Sequence, residues 1–331
     1  MTETGIHRIV AGAEQAGMRL DAFVSSSVVG LTRSRAKALI EGGFVVINGL
    51  SAKAARSVAA GDRVTVEVPP PRPPTALPEE IPLDVIYEDK DIIVVAKRAG
   101  MVVHPSAGHP GGTLVNALLA HCGDLSGVGG ELRAGIVHRL DRGTSGCIVA
   151  AKNDAAHHAL AAQFKARTVS KVYLALVFGS MKGESGRFEQ PIGRSTGDRK
   201  RMSARTAKGR ASLTEWRVVE RVGRELSWLE IALRTGRTHQ IRVHFAEAGH
   251  PLVGDDVYGG SKRASRLPPG DIRGVVEAFG RPALHAWKLS IDHPKSGKRM
   301  EFISPLPEDI SGLLAQLGGA TAAGTRQACG D

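Results

Sequence analysis

The sequence predicts an α+β protein of two domains, an expectation that rests on three observations. Its 331 residues are about twice the roughly 150 of an ordinary domain. The stretch Pro69-Pro-Pro-Arg-Pro-Pro-Thr-Ala-Leu-Pro78 gathers six of the 17 prolines into ten residues, and such a run favours a semi-rigid extended spacer over hydrogen-bonded structure. Beyond it, strand-like and helix-like segments mix without the strict alternation of a doubly wound parallel sheet, which favours α+β layers. The expected organisation is a small domain over residues 1–68, a linker over 69–80, a large domain over 81–316 and a small, polar tail over 317–331.

In the small domain, Met18 to Val28 and Thr32 to Glu41 read as helices. The second sets Ala36, Leu39 and Ile40 at helical spacing and stops at Gly42-Gly43. Phe44 to Asn48 reads as a strand and Arg63 to Val68 as another, with Asn48-Gly49 a strong turn signal. Arg33 and Lys37 lie one helical turn apart, away from Leu39 and Ile40. On charge alone they form a solvated face.

In the large domain, Asp84 to Tyr87 and Asp91 to Lys97 read as neighbouring strands, and Thr113 to Cys122 as a helix capped by Thr113. Ser145 to Lys152 is a strand, Asp154 to Arg167 a helix capped by Asn153, and Ser170 to Gly179 a strand. In the last, Val172, Leu174, Leu176 and Phe178 share one face and Lys171, Tyr173 and Ala175 the other. A helix then starts within Arg234-Thr-Gly-Arg-Thr-His-Gln-Ile-Arg-Val-His244, with Thr238 as cap and Gly249 as stop. Ile241, Phe245 and Ala248 form its apolar stripe, while His239 and Arg242 share another face. His285 and Trp287 alternate with Leu289 and Ile291 toward the core.

Composition narrows the chemistry. Lys and Arg number 44 against 33 Asp and Glu, a net charge of +11, and the pI is near 9.9, which points to a polyanionic partner. No apolar run reaches membrane-spanning length and the N-terminus lacks signal-peptide features, so a soluble cytoplasmic protein is expected, without membrane contact. Cys122, Cys147 and Cys329 are odd in number and lack CxxC spacing, which argues against disulfides and zinc. Neither a phosphate-binding loop nor a dinucleotide fingerprint is present. The chemistry is therefore expected from side chains alone, with no metal and no small-molecule cofactor, in a monomer.

The densest cluster of reactive types is Gly135-Ile-Val-His-Arg-Leu-Asp-Arg-Gly-Thr-Ser-Gly146. Asp141 stands there between Arg139 and Arg142, and neighbouring cations favour the carboxylate form that suits a nucleophile. His239 and His244, five residues apart, face different sides of a helix and make a poor metal pair. Seven basic residues, Arg194, Arg199, Lys200, Arg201, Arg205, Lys208 and Arg210, stand against Asp198 alone in one short segment. This is the expected phosphate contact, disordered and solvated until RNA orders it.

Arg19-Leu-Asp-Ala-Phe23, Thr32-Arg-Ser-Arg-Ala36 and Gly43-Phe-Val-Val-Ile-Asn-Gly49 together resemble the S4 RNA-binding domain over residues 18–68. The resemblance implies that Arg33, Arg35 and Lys37 contact phosphates of structured RNA, positioning it without reading its sequence. Ala134-Gly-Ile-Val-His-Arg-Leu-Asp141, Lys171-Val-Tyr-Leu-Ala175, Thr235-Gly-Arg-Thr-His-Gln-Ile-Arg242, Gly249-His-Pro-Leu-Val-Gly-Asp255 and Ala283-Leu-His-Ala286 resemble the RluA-type family of RNA pseudouridine synthases across residues 81–305. Lys97-Arg98 departs from the family's usual Lys-Pro, away from these motifs.

This second resemblance implies a mixed, mainly antiparallel sheet with flanking helices and a cofactor-free isomerisation of uridine to pseudouridine. The S4 domain ahead of it implies the branch acting on 23S ribosomal RNA of the assembling large subunit. By the same resemblance Asp141 is the catalytic aspartate, attacking either base or ribose, and Arg242 is its basic partner. Tyr173 stacks on the base and helps remove the C5 proton, and Arg139 fills the gap left by the flipped nucleotide. From the charge of the basic segment, and not from the resemblance, Arg199, Lys200, Arg201 and Arg205 are expected as further RNA contacts. The competing readings are the same chemistry on other rRNA or tRNA sites, and a non-catalytic RNA-binding assembly factor. The intact Asp141, Tyr173 and Arg242 set argues against the last.

Overall fold

The computed structural model describes residues 5–69, 76–106, 108–122, 125, 135–195, 197–198, 201–206 and 209–318. Arg199, Lys200, Lys208, residues 70–75 of the linker and nearly all of the tail lie outside them. The chain forms two compact units, residues 1–74 and 75–331.

The first unit contains β1 (Gly5–Val10), α1 (Leu20–Ser27), α2 (Arg33–Glu41), β2 (Val45–Ile47), β3 (Leu50–Ser51) and β4 (Arg63–Val68). The strands form an antiparallel sheet in the order β1-β4-β2-β3. Phe23 and Val24 of α1 and Ala36, Leu39 and Ile40 of α2 pack on Val45, Ile47, Val64 and Val66. Thr32 caps α2 by accepting from Arg35 N. Asn48 and Gly49 both take positive φ, 52° and 78°, as a tight hairpin between β2 and β3 requires. Strands β1 and β3 were not foreseen: β1 is an edge strand whose Ile6 and Val10 stay exposed, so it shows no buried alternation to read.

The second unit contains β5 (Val85–Glu88), β6 (Ile92–Lys97), α3 (Leu114–His121), β7 (Ser145–Ala151), α4 (Asp154–Ala166), β8 (Ser170–Phe178), β9 (Ser185–Phe188), β10 (Gly193–Arg194), β11 (Met202–Ser203), β12 (Thr214–Val222), β13 (Leu226–Leu233), α5 (Gln240–Glu247), α6 (Gly260–Ala264), α7 (Asp271–Ala278), β14 (Leu284–Asp292), β15 (Arg299–Ile303) and α8 (Glu308–Gln316). Its nine-stranded sheet runs β5-β6-β7-β14-β8-β13-β12-β9, with β15 also on β14. Among the described residues β14 and β7 pair in parallel, and the other pairs in this sheet are antiparallel. The sheet is thus mixed and mainly antiparallel, as the family resemblance implied. Gly146 sits where β7 meets β14, at φ 115°, and a Cβ there would collide with the Ala286 carbonyl, so only glycine allows this close pairing.

Strand β8 is covered on both faces, which the alternating reading did not anticipate. Tyr173, Ala175 and Val177 pack with Leu114 and Leu118 of α3 and with Ile241 and Phe245 of α5. Leu174, Leu176 and Phe178 pack with Val276 of α7 and Ile310 and Leu314 of α8. Tyr173 is therefore a central residue, paired between Ile231 and Ala286. His285 is buried as expected, bonded to Ser145 Oγ at 3.0 Å and Ser304 O at 3.1 Å, and burial pushes its pKa down to about 4.

Helix α5 starts one residue later than the cap reading placed it. His239, not Thr238, is the N-cap, in the left-handed region at φ 57° and without a capping side chain. The side chain of Gln240 takes over: Oε1 accepts from Arg237 N at 3.0 Å and Thr235 Oγ1 at 2.8 Å, while Nε2 donates to Leu213 O and Thr214 Oγ1. Gly249 follows the helix at φ 85° as its stop. Ile241 and Phe245 are buried, but Ala248 is exposed and leaves the stripe.

The basic segment is structured where it is described. Strands β10 and β11 form a two-stranded hairpin, closed by an Ile192 to Arg210 bridge, which corrects the expectation of a disordered loop over these residues. Met202 packs with Ile192, Val243 and Tyr258, which gives the hairpin an apolar anchor independent of RNA.

Candidate active site

The site is built on the loop between Ile136 and β7. Asp141 is carried there, and the loop is held from several directions. Arg281 Nη1 donates to Gly143 O at 3.0 Å. Gly100 N donates to Arg142 O at 2.8 Å, and Arg142 Nε to Gly100 O at 3.2 Å. His138 Nε2 accepts from Val149 N at 3.1 Å and its ring stacks on Phe164; burial pushes this imidazole down to about 3, so it anchors the loop as a neutral acceptor. Arg142 thus binds Gly100 in place of Asp141, and the flanking-cation reading is corrected for Arg142.

The cation at Asp141 comes from α5 instead. Arg242 Nη1 donates to Asp141 Oδ2 at 3.2 Å. The rest of its guanidinium grips Asp255, with Nε to Oδ2 at 2.7 Å and Nη2 to Oδ1 at 2.9 Å. This two-point fork is the strong form of the Arg–carboxylate pair. Asp255 is fully buried and also accepts from Val257 N and Tyr258 N at 3.1 Å each. Burial works against the Arg242 charge, but Asp255 and then Asp141 outweigh it and raise its pKa. Arg242, on the helix face it shares with His239, is buried and reaches the site from within.

A cavity of about 100 Å³ opens beside Asp141, lined by Tyr173, Arg139, His239 and Arg242 among others. Burial, and then the charge of Asp141, raise the pKa of the Tyr173 phenol. It stays protonated, so it offers the cavity an aromatic face and a neutral hydroxyl, not a phenolate base. Arg139 is exposed at the cavity.

Lys97, at the end of β6, is buried with Nζ donating to Arg98 O at 2.8 Å, Met101 O at 2.9 Å and Arg142 O at 3.4 Å. Burial, and then Arg281, push its ammonium down to about 7 from 10.5. Between those values the unfolded chain holds the proton that the folded chain has lost, so this residue makes stability rise with pH through that window. Urea unfolding midpoints should therefore rise from about pH 6.5 to about pH 9.5 more steeply in the wild type than in Lys97→Met. Parallel curves for the two proteins would remove Lys97 as the source.

The four residues assigned to the chemistry, Asp141, Tyr173, Arg242 and Arg139, converge on this one cavity. Arg201 and Arg205 are exposed at the hairpin; Arg201 lies over the Tyr258 ring at 5.2 Å, and Arg205 pairs with Glu247 at 2.6 Å. Arg199 and Lys200 lie outside the described residues. In the first unit Arg33 and Lys37 are exposed, but Arg33 already reaches Asp21 at 3.3 Å and Lys37 reaches Glu41 at 3.5 Å. Arg35 is half-buried. Sequence reasoning missed the roles of Asp255 and Tyr258, whose signal was only their place in and just after the Gly249-to-Asp255 motif.

The chain matches two family models, RNA pseudouridylate synthase over residues 91–247 and S4 domain over residues 18–64. It is 45% identical to an RNA pseudouridine synthase of Synechocystis over 91% of this chain and 89% of the relative. It is 42% identical to the ribosomal large subunit pseudouridine synthase D of Zymomonas mobilis over 92% of this chain and 95% of that one. Among solved structures it resembles human RNA pseudouridylate synthase domain containing 1, with a TM-score of 0.53 and 28% identity over 69% of this chain and 85% of that one.

Proposed function

Because the chain belongs to the RluA-type RNA pseudouridine synthases and carries an S4 domain, we propose that it isomerises uridines of 23S ribosomal RNA, with Asp141 as the nucleophile. The observation that carries this reading is the Arg242 guanidinium, which spans from buried Asp255 to Asp141 at the mouth of the cavity.

Asp141 attacks the flipped uridine as its N1–C1′ bond breaks. The base turns and rejoins the sugar through C5 as the bond to Asp141 breaks and frees the carboxylate, the C5 proton passes to solvent and N1 takes one up, so no net oxidation or hydrolysis occurs. Arg242 holds the carboxylate in place, with its charge set against a low-dielectric wall. Tyr173 stacks on the base; its raised pKa favours that role over direct removal of the C5 proton. Arg139 enters the space the nucleotide leaves, which offsets part of the unstacking cost. Ribosomal RNA as substrate is supported by the names of relatives such as the Zymomonas protein, and a cytoplasmic location goes with that substrate in this reading.

Arg33, Arg35 and Lys37 of α2 and Arg199, Lys200, Arg201 and Arg205 of the basic segment supply phosphate contacts in this reading. Reversing Arg199 and Lys200 to Glu should weaken RNA binding and lower the slope of log affinity against log salt by about one to two. An unchanged slope would make that segment a bystander. The substrate is tested by release of tritium from C5-labelled uridine in 23S rRNA, 16S rRNA and tRNA transcripts. Release from 23S rRNA alone supports the proposal, and release from tRNA alone moves the target.

A further inference from the structure

His239 lines the cavity in a conformation its residue type rarely adopts, at φ 57°. Its two ring nitrogens have separate addresses. Nδ1 lies 2.8 Å from the Tyr258 hydroxyl, and Nε2 lies 3.8 Å from Asp141 Oδ2. The Tyr258 oxygen already accepts from Met202 N, in hairpin strand β11, at 2.9 Å. Its O–H must then be placed, and among the described residues His239 Nδ1 is the acceptor within reach. Nδ1 accepting leaves the proton of a neutral imidazole on Nε2, the nitrogen that faces the carboxylate.

We propose that His239 is a positioning residue for Asp141, locked by Tyr258 in its Nε2–H tautomer and aimed at Oδ2. Arg242 Nη1 binds the same oxygen, so among the described residues both donors address Oδ2 and Oδ1 is presented to the substrate. At 3.8 Å the His239 contact is too long for a hydrogen bond; it closes when substrate fills the cavity, as such contacts do. Burial favours the neutral ring and lowers the His239 pKa, against the pull of Asp141. Tyr258 is braced by Arg242, 5.0 Å from its ring centroid, and by Arg201, at 5.2 Å. The chain from Met202 through Tyr258 and His239 therefore ties the basic hairpin to the nucleophile.

This inference rests on Asp141 being the nucleophile, and its test keeps the two apart. Single-turnover tritium release and RNA affinity are measured for full-length wild type, His239→Asn, His239→Gln and Asp141→Asn, on whichever transcript the wild type uses. Asn tolerates the left-handed backbone but its amide stops short of Nε2, whereas Gln places an N–H donor near that position. His239→Asn should slow release about 10²-fold with RNA affinity unchanged, as expected for a nucleophile mispositioned by about 1 Å. His239→Gln should recover about tenfold of that loss. Wild-type rates in His239→Asn, or a Gln variant as slow as the Asn variant, would overturn the inference while an inactive Asp141→Asn left the nucleophile in place. An active Asp141→Asn would overturn the nucleophile reading itself.

Discussion

Asp141→Asn should abolish isomerisation, by about 10⁴-fold or more as measured by tritium release, while leaving RNA affinity unchanged. The substitution keeps the shape of the side chain and removes the oxygen nucleophile. Arg242 loses one of its two carboxylate partners but stays bound to Asp255 by two hydrogen bonds of 2.7 and 2.9 Å. The loop is held independently by Arg281, Gly100 and Lys97, so the cavity should persist. A fall in rate without a fall in binding is the mark of an interaction made on the way to the transition state. Retained turnover would remove Asp141 from the nucleophile role.

Arg242→Met should have the second largest effect, on folding as well as on catalysis. It strands Asp255, a fully buried carboxylate, without its cation, and breaking one side of such a pair costs about 3–5 kcal/mol. The urea midpoint should drop accordingly, with turnover lost. Adding Asp255→Leu to Arg242→Met removes the orphaned charge and should restore part of the stability, though not all, because Val257 N and Tyr258 N lose their acceptor. Turnover should stay absent in the double variant. Activity that returned together with stability would reduce Arg242 to a structural residue.

The fold was legible wherever local chemistry decides it. Thr113 and Asn153 cap the helices they were assigned, and Asn48-Gly49 turns the hairpin, because each satisfies backbone groups within a few residues. The start of α5 was not legible, because Gln240 binds Leu213 and Thr214, distant in sequence at the start of β12, and so shifts the cap to His239. The site followed the same rule. Asp141, Tyr173 and Arg242 stood out by residue type and by resemblance, yet Arg142, its neighbour in sequence, was the wrong partner for Asp141. Its cation lies 101 residues away in sequence, and local charge spacing carries no information about such a contact. Tyr258 is still harder to foresee, since its role depends on the backbone of Met202 and the ring of His239 meeting at one hydroxyl.

The central claim is tested most directly by carbodiimide mapping of pseudouridines in rRNA and tRNA from cells that lack this gene, complemented with wild type or with Asp141→Asn. The account predicts that specific 23S rRNA positions lose pseudouridine in the deletion and regain it with the wild type alone. Restoration by Asp141→Asn, or a deletion that changes no position in 23S rRNA, would contradict it.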